Sequence, residues 1–385
     1  MTTTSRFRNI LSRIRSATVA LPLALAVPAL HAGIVAVDTQ VPSSMSAGGT
    51  GTDPALYLVG QDSSVTVNHA GYVWLGASTA WNRLIVRNGS SLGSGGYVYI
   101  GQAEGADDNN AHITGSGSTW TVAYDLYVGG AGARNNLTVD QGAHVNIVEY
   151  DLIVGSQATG NDNNVLVSGP SSRLDARLRF MIGLRGSHNV LRVENGGQVS
   201  TSSTDFSYIG RYQGANHNRV VVTGRDSRWD LAGNLLIGDG GSHNSLTIED
   251  GGLVSIQRDL YFVYFSSSAP GTDNFVNLDG GFLAFSGDRT TDIERLINGG
   301  HIRIRDSVTG EWVTGTIDDF SFGHFADEAG AAAFSGYEGL AGYTLLTSLA
   351  AVPEPATWAA LLGCGALAWA ALRRRRAHYQ RLKTF

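Results

Sequence analysis

Three histidines, His188, His217 and His243, each stand directly before an asparagine at the same place in a recurring pattern. Imidazoles stacked in that way could share a transition metal. The same place elsewhere holds Trp81, Asp108, Arg134, Asp162 and Asp273, so the position reads as a tolerant polar turn. The loops before the three histidines also differ in length, which is expected to pull their rings out of register. A second set is acidic: Asp125, Asp151 and Asp259, with Asn234 in the matching place and Arg179 interrupting the row. Carboxylates beside an arginine are the equipment of polysaccharide lyases and hydrolases, some of which hold Ca²⁺. An enzyme site gathers such groups in one cleft. Regular spacing instead fits turn residues that bond their own backbone. The acidic loops 104–108 and 161–162 are where a structural Ca²⁺ would sit; no cofactor is expected.

A third set is apolar and aromatic. Trp74, Tyr99, Tyr127, Ile153, Met181, Tyr208 and Leu236 each lie two residues before a recurring glycine. If the residues on either side of each face inward, this column faces out, and Trp74, Tyr99, Tyr127 and Tyr208 form a candidate binding stripe for sugar faces or a partner protein. The competing expectation is that a cap or spacer covers the column, or that both strand faces are buried.

All three sets are positioned by one repeat. An apolar residue plus glycine recurs at Gly76, Gly101, Gly129, Gly155, Gly183, Gly210 and Gly238. An asparagine opening an apolar alternation recurs at Asn82, Asn109, Asn135, Asn163, Asn189, Asn218, Asn244 and Asn274. A turn glycine then follows at Gly89, Gly115, Gly142, Gly169, Gly196, Gly224, Gly251 and Gly280, at intervals of 26 to 29 residues. The count from glycine to asparagine alternates between 6 and 8, and that from asparagine to turn glycine between 7 and 6. Two unit types therefore alternate. Residues at Asn+2 and Asn+4 are apolar throughout, as in Leu137/Val139 and Leu191/Val193, which gives one buried strand face per unit. A fixed period in this range signals stacked coils. The expected fold is all-β, a parallel β-helix of about eight rungs of ~27 residues with three short strands each, ~40 Å long at ~4.8 Å per rung. The asparagine amides are expected to bond from rung to rung as a structural ladder.

The remaining segments frame this body. Residues 1–32 read as a secretory signal: Arg6, Arg8, Arg13 and Arg15, an apolar core, and cleavage after Ala32. Residues 33–75 are expected to cap the first rung, 76–280 to hold the repeats, and 281–350 to form a second cap and a Gly/Ala-rich spacer. Residues 351–385 hold Pro353-Glu354-Pro355, an uncharged run Ala356–Leu372, and Arg373–Arg376. That run is just long enough to cross the inner membrane, with a basic stop behind it. Between the termini, residues 33–352 carry 17 arginines, no lysine and 32 acids, a net of −15. Such a surface disfavours nucleic acid and bare anionic lipid. The one cysteine, Cys364, lies in the apolar run, so the body has no disulfide.

The tail resembles the PEP-CTERM sorting signal of Gram-negative exopolysaccharide producers, in its P-E-P, its helix and its basic cluster. The coils resemble the type V secretion/PEP-CTERM-associated repeat of autotransporter passenger domains, in G-S-G-S-T-W (Gly115–Trp120) and G-R-D-S-R-W (Gly224–Trp229); Leu174 replaces the tryptophan in one unit. These resemblances imply processing by an exosortase-type enzyme and delivery to the cell surface. They bring no catalytic residue. The expected function is that of a non-catalytic matrix protein, adhering to exopolysaccharide in biofilm or floc or to other surface proteins. The alternative is a polysaccharide-active lyase or hydrolase on the same scaffold.

Overall fold

The computed structural model describes residues 34–36, 44–45, 56–60, 63–262 and 271–349. The expected signal ending at Ala32 and the tail with Pro353, Glu354 and Pro355 lie outside the described residues. Among the described residues no helix is long and apolar enough to cross a membrane.

The chain coils through three sheets in turn. The first contains strands such as Asn136–Asp140, Asn164–Ser168 and Val190–Glu194; the second His144–Ile147, Arg173–Ala176 and Gln198–Thr201; the third Leu152–Val154 and Phe180–Ile182. The sheets hold 12, 11 and 9 strands; with the antiparallel closing strands set aside, the parallel coil makes about nine turns, close to the expected eight. The N-terminal end contributes to it. Leu56–Val59, Thr66–His69 and Val73–Leu75, in the segment expected to cap, already pair in parallel with Arg83–Val86, Ser91–Ser94 and Val98–Ile100.

Alternation sets the register. In Asn136–Asp140 the buried residues are Leu137 and Val139, and they align with Ala111/Ile113 before and Val165/Val167 after. One continuous core runs through all three sheets, with Trp120 and Trp229 its largest fully buried side chains. Trp120 donates its indole N–H to Ser94 at 3.0 Å. Where Leu174 stands in for tryptophan, Phe180 on the same coil contributes a ring that meets Trp229 edge-on at 6.2 Å.

The asparagines form a single buried file. Asn135 Oδ1 accepts from the backbone N–H and the amide of Asn109 at 2.9 Å each. Asn163 serves Asn135 in the same way, Asn189 serves Asn163, and so on to Asn274, whose amide donates to the Gly241 carbonyl. The recurring glycines belong to this device. Gly155 adopts φ +69°, and a Cβ there would lie 2.2 Å from the Asn189 amide nitrogen. Asparagine and glycine recur together because each is packed against the other one coil on.

The two alternating unit types also have a physical cause. After the shorter asparagine-to-glycine step come Ser118, Ser172 and Ser227, all fully buried. Their hydroxyls accept from Gly89, Gly142 and Gly196 of the preceding coil. After the longer step the corner is tight and small: a Cβ on Gly197 or Gly252 would lie 2.5 Å from the carbonyl of Val167 or Val222.

The C-terminal end departs from the repeat. Helix Thr290–Asn298 lays Ile293, Leu296 and Ile297 on the open end of the core. Phe282–Ser286 and Phe320–Phe325 flank Tyr343–Ser348, each antiparallel to it. Helix Glu328–Ser335 follows, and then Tyr337, whose hydroxyl donates to the Gly251 carbonyl at 2.6 Å. The segment expected to be a spacer thus builds a small second core on the outside of the second sheet, with Leu253, Ala284, Ala331 and Leu340.

Candidate functional site

Each corner between the third and first sheets carries one non-glycine residue in the left-handed region, from Trp81 at φ +67° through Arg134 at +55° to His243 at +58°. Its N–H reaches the next coil, as His188 does to the Asn216 carbonyl. Polar residues and histidine tolerate these angles best, which explains the composition of the column. The histidines are in register, against the expectation. His188 and His217 stack at 4.9 Å, and His217 and His243 at 4.8 Å, each pair within 10° of parallel. The longer loops do not disturb them because their two additional residues bulge out as separate turns, closed by Ala106 N–H to Ala103, Gly160 to Gln157 and Ala215 to Tyr212. The three rings meet face to face in near-parallel planes, and His243 Nδ1 lies 3.8 Å from Asp273 of the next coil. No group of three ligating side chains suited to a metal occurs among the described residues.

This stack is expected to add a modest pH dependence to stability. Although His217 is exposed, partial desolvation in the stack, and then the charges of His188 and His243, hold its ring below the ordinary value of 6.5. The folded protein therefore favours the neutral ring. Its contribution is full above 6.5 and declines as pH falls below it, where the unfolded chain binds more protons. The melting temperature is expected to fall on acidification through this window. His217→Asn, which accepts the left-handed angle, should reduce that slope; an unaltered slope in a pH series of melting curves would exclude the stack as its source.

The acidic row is committed to holding coils together. Asp125 accepts the Asp151 N–H at 2.9 Å on one oxygen and the Tyr127 hydroxyl at 3.0 Å on the other. Asp151 is gripped on both oxygens by Arg179, at 3.0 and 2.9 Å. Asn234 accepts the Asp259 N–H, and Asp259 pairs with Arg289 at 2.8 Å. Asp125 and Asn234 thus bond the next coil's backbone, and Asp151 and Asp259 bond arginine side chains, which corrects the expectation of self-bonded turns. Arg179 is a partner of the row, not an interruption.

The aromatic column does form one file. Trp74, Tyr99, Tyr127, Ile153, Met181, Tyr208 and Leu236 are paired in sequence across the third sheet. It is unevenly open: Trp74, Tyr99, Tyr127 and Tyr208 are half-buried, whereas Ile153, Met181 and Leu236 are buried. Tyr99 and Tyr127 stack at 4.4 Å. Among the described residues, the C-terminal segment builds its small core on the second sheet and not over this column.

Beside it runs a second, more open aromatic file. Tyr72, Tyr97, Tyr124 and Tyr150 follow one another at 5.4, 5.2 and 5.6 Å, and Tyr72 also stacks on Trp74 at 5.6 Å. Tyr72, Tyr124 and Tyr150 are 46%, 39% and 42% exposed, so these rings present their surfaces to solvent. An open groove lined by His69, Gly93, Thr121, Ala123, Val148 and Glu149 adjoins Tyr124. The signal in the chain is a tyrosine just ahead of the third strand. Its offset shifts when an aspartate is inserted: Tyr72-Val73 and Tyr97-Val98 become Tyr124-Asp125-Leu126 and Tyr150-Asp151-Leu152. Alignment on the glycines alone does not reveal it.

With this geometry in place, the chain reads as a parallel β-solenoid carrying a C-terminal sorting signal: residues 351–376 match the PEP-CTERM protein-sorting motif. Over 130 residues, 33% of this chain, it is 29% identical to the adhesin BmaC autotransporter of Brucella suis biovar 1 (strain 1330). The aligned stretch spans 4% of that adhesin. No solved structure matches the chain.

Proposed function

We propose that the protein is exported, processed at its C-terminal motif by an exosortase-type enzyme, and retained at the surface of a Gram-negative cell as a non-catalytic adhesin. Its ligand is exopolysaccharide, held along the corner between the second and third sheets and the adjoining outer face of the third. The observation that carries this reading is the open file Tyr72, Tyr97, Tyr124 and Tyr150, with rings one coil apart. Aromatic faces pack on the C–H faces of sugar rings while hydroxyl tips stay wet. A coil that repeats along its length offers the same contact repeatedly, so weak contacts add along a polymer. The sorting motif and the likeness to an adhesin support the same reading.

Affinity electrophoresis through gels containing the host's exopolysaccharide tests it. Tyr124→Ala with Tyr150→Ala should weaken retardation about tenfold, with ~1–2 kcal/mol of stability lost from the ring stacks. Unaltered retardation would overturn the assignment of this face. Shortened chains or new unsaturated ends after incubation with the wild-type protein would make it an enzyme.

A further inference from the structure

The outer face of the third sheet changes character beyond the tyrosines. Through the register Tyr127, Ile153, Met181, Tyr208 it reaches a cluster of two arginines and two tyrosines. The guanidinium carbons of Arg185 and Arg211 lie 4.5 and 4.9 Å from the centre of the Tyr212 ring. Arg211 also lies 4.5 Å from the Tyr208 ring, and its Nη1 is 3.6 Å from the Met181 sulfur. Tyr212 sits on one of the turns that bulge from the longer corners, and both it and Arg185 are exposed. Two like charges therefore share one ring. Among the described residues no carboxylate comes within 4.0 Å of either guanidinium, in contrast to Arg179 on Asp151. Asp239 acts on Arg211 electrostatically but stays beyond that reach.

We infer that Arg185, Arg211, Tyr208 and Tyr212 form an anion subsite for the carboxylates of an acidic polysaccharide, whose sugar rings lie along the neighbouring tyrosine files. This rests on the polysaccharide reading above and adds the charge of the polymer to it. Guanidinium presents a planar fork that matches a carboxylate with two parallel bonds. Stacking on tyrosine holds that fork in place and leaves its edge open. A bound carboxylate also relieves the repulsion between the two cations. The body as a whole is strongly acidic, with 17 arginines against 32 acids over residues 33–352. Long-range attraction therefore does not recruit a polyanion, and recognition has to come from these short-range forks. A nucleic acid, with a charge about every 1.7 Å, would be repelled along its whole length.

The full chain in mild detergent, run through gels holding polygalacturonate or its methyl ester, provides the test. Esterification removes the charge and keeps the sugar backbone. The wild type should bind the acid about tenfold more tightly than the ester. R185Q/R211Q should lose that preference and still bind the ester, with an unaltered melting curve. R185K/R211K, which keeps the charge and loses the fork, should restore only part of it. Equal binding of acid and ester by the wild type, or full preference in R185Q/R211Q, would overturn the subsite and leave the tyrosine reading standing. A wild type that binds neither polymer would overturn the subsite, and the tyrosine reading is then decided by retardation in the host's exopolysaccharide. Should the glutamine variant fail to fold, the wild-type comparison of acid with ester decides alone.

Discussion

Gly155→Ala is expected to unfold the coil around it, whereas Gly142→Ala should be mild, although both glycines have φ in the left-handed region, at +69° and +82°. The angle alone costs an L-residue about 1–2 kcal/mol. At Gly142 little is added, since the nearest atom to a new Cβ is 3.6 Å away. At Gly155 the Cβ would stand 2.2 Å from Asn189 Nδ2 and 2.5 Å from the Gly160 carbonyl. Neither neighbour can yield. Asn189 Oδ1 is held by two donors from Asn163, and its own amide donates to Asn218. Gly160 closes a turn onto Gln157. The alanine must therefore break buried hydrogen bonds, and a loss above about 4 kcal/mol follows. Denaturant midpoints of the two variants measure the difference. Values within 1 kcal/mol of each other would show that the angle, not the interlock with asparagine, is what requires glycine there.

That interlock also explains what could be seen in the chain. Coils in this fold are specified locally. A period-two apolar run buries one face, an asparagine bonds the coil before it, and a glycine makes room for the asparagine ahead. Each landmark is a steric or hydrogen-bonding necessity at one place in the coil, so it recurs in the sequence at nearly constant intervals, and strand order and register follow from it. Features that bind across coils without such a necessity are harder to read. The tyrosine file from Tyr72 to Tyr150 is continuous in space, but the aspartates before the third strand shift its offset. The register of His188, His217 and His243 depends on surplus residues leaving the coil as separate turns, which loop length alone does not disclose. Phe320–Phe325 and helix Glu328–Ser335 belong to an antiparallel closure with no repeat to betray it. The arginine cluster requires the bulged turn carrying Tyr212 to be placed beside Arg185 of the previous coil, a contact between two loops of different length.

The asparagine file should be as sensitive as the glycines. In the pair Asn163-Asn164, two identical neighbours are expected to differ by several kcal/mol. Asn163 is fully buried; its Oδ1 accepts from Asn135 N–H at 2.8 Å and from the Asn135 amide at 3.1 Å. Its own amide donates to Asn189 at 3.0 Å. Asn163→Ala leaves two donors of Asn135 buried without an acceptor, at about 1–3 kcal/mol each, so a total near 3–5 kcal/mol is expected. Asn164 points out of the first sheet, and Asn164→Ala should cost under about 0.5 kcal/mol. Asn163→Asp separates the two roles of the amide. A carboxylate still accepts from Asn135 but sets a second oxygen against Asn189 Oδ1 and carries a buried charge. Burial raises its folded pKa, so this variant should recover stability as pH falls, because protonation restores a donor. Hydrogen exchange should localise the loss to the coils bearing Asn135, Asn163 and Asn189, since each coil leans chiefly on its two neighbours. Equal stability of the Asn163 and Asn164 alanine variants would mean that the amide file fills space without holding the coils together.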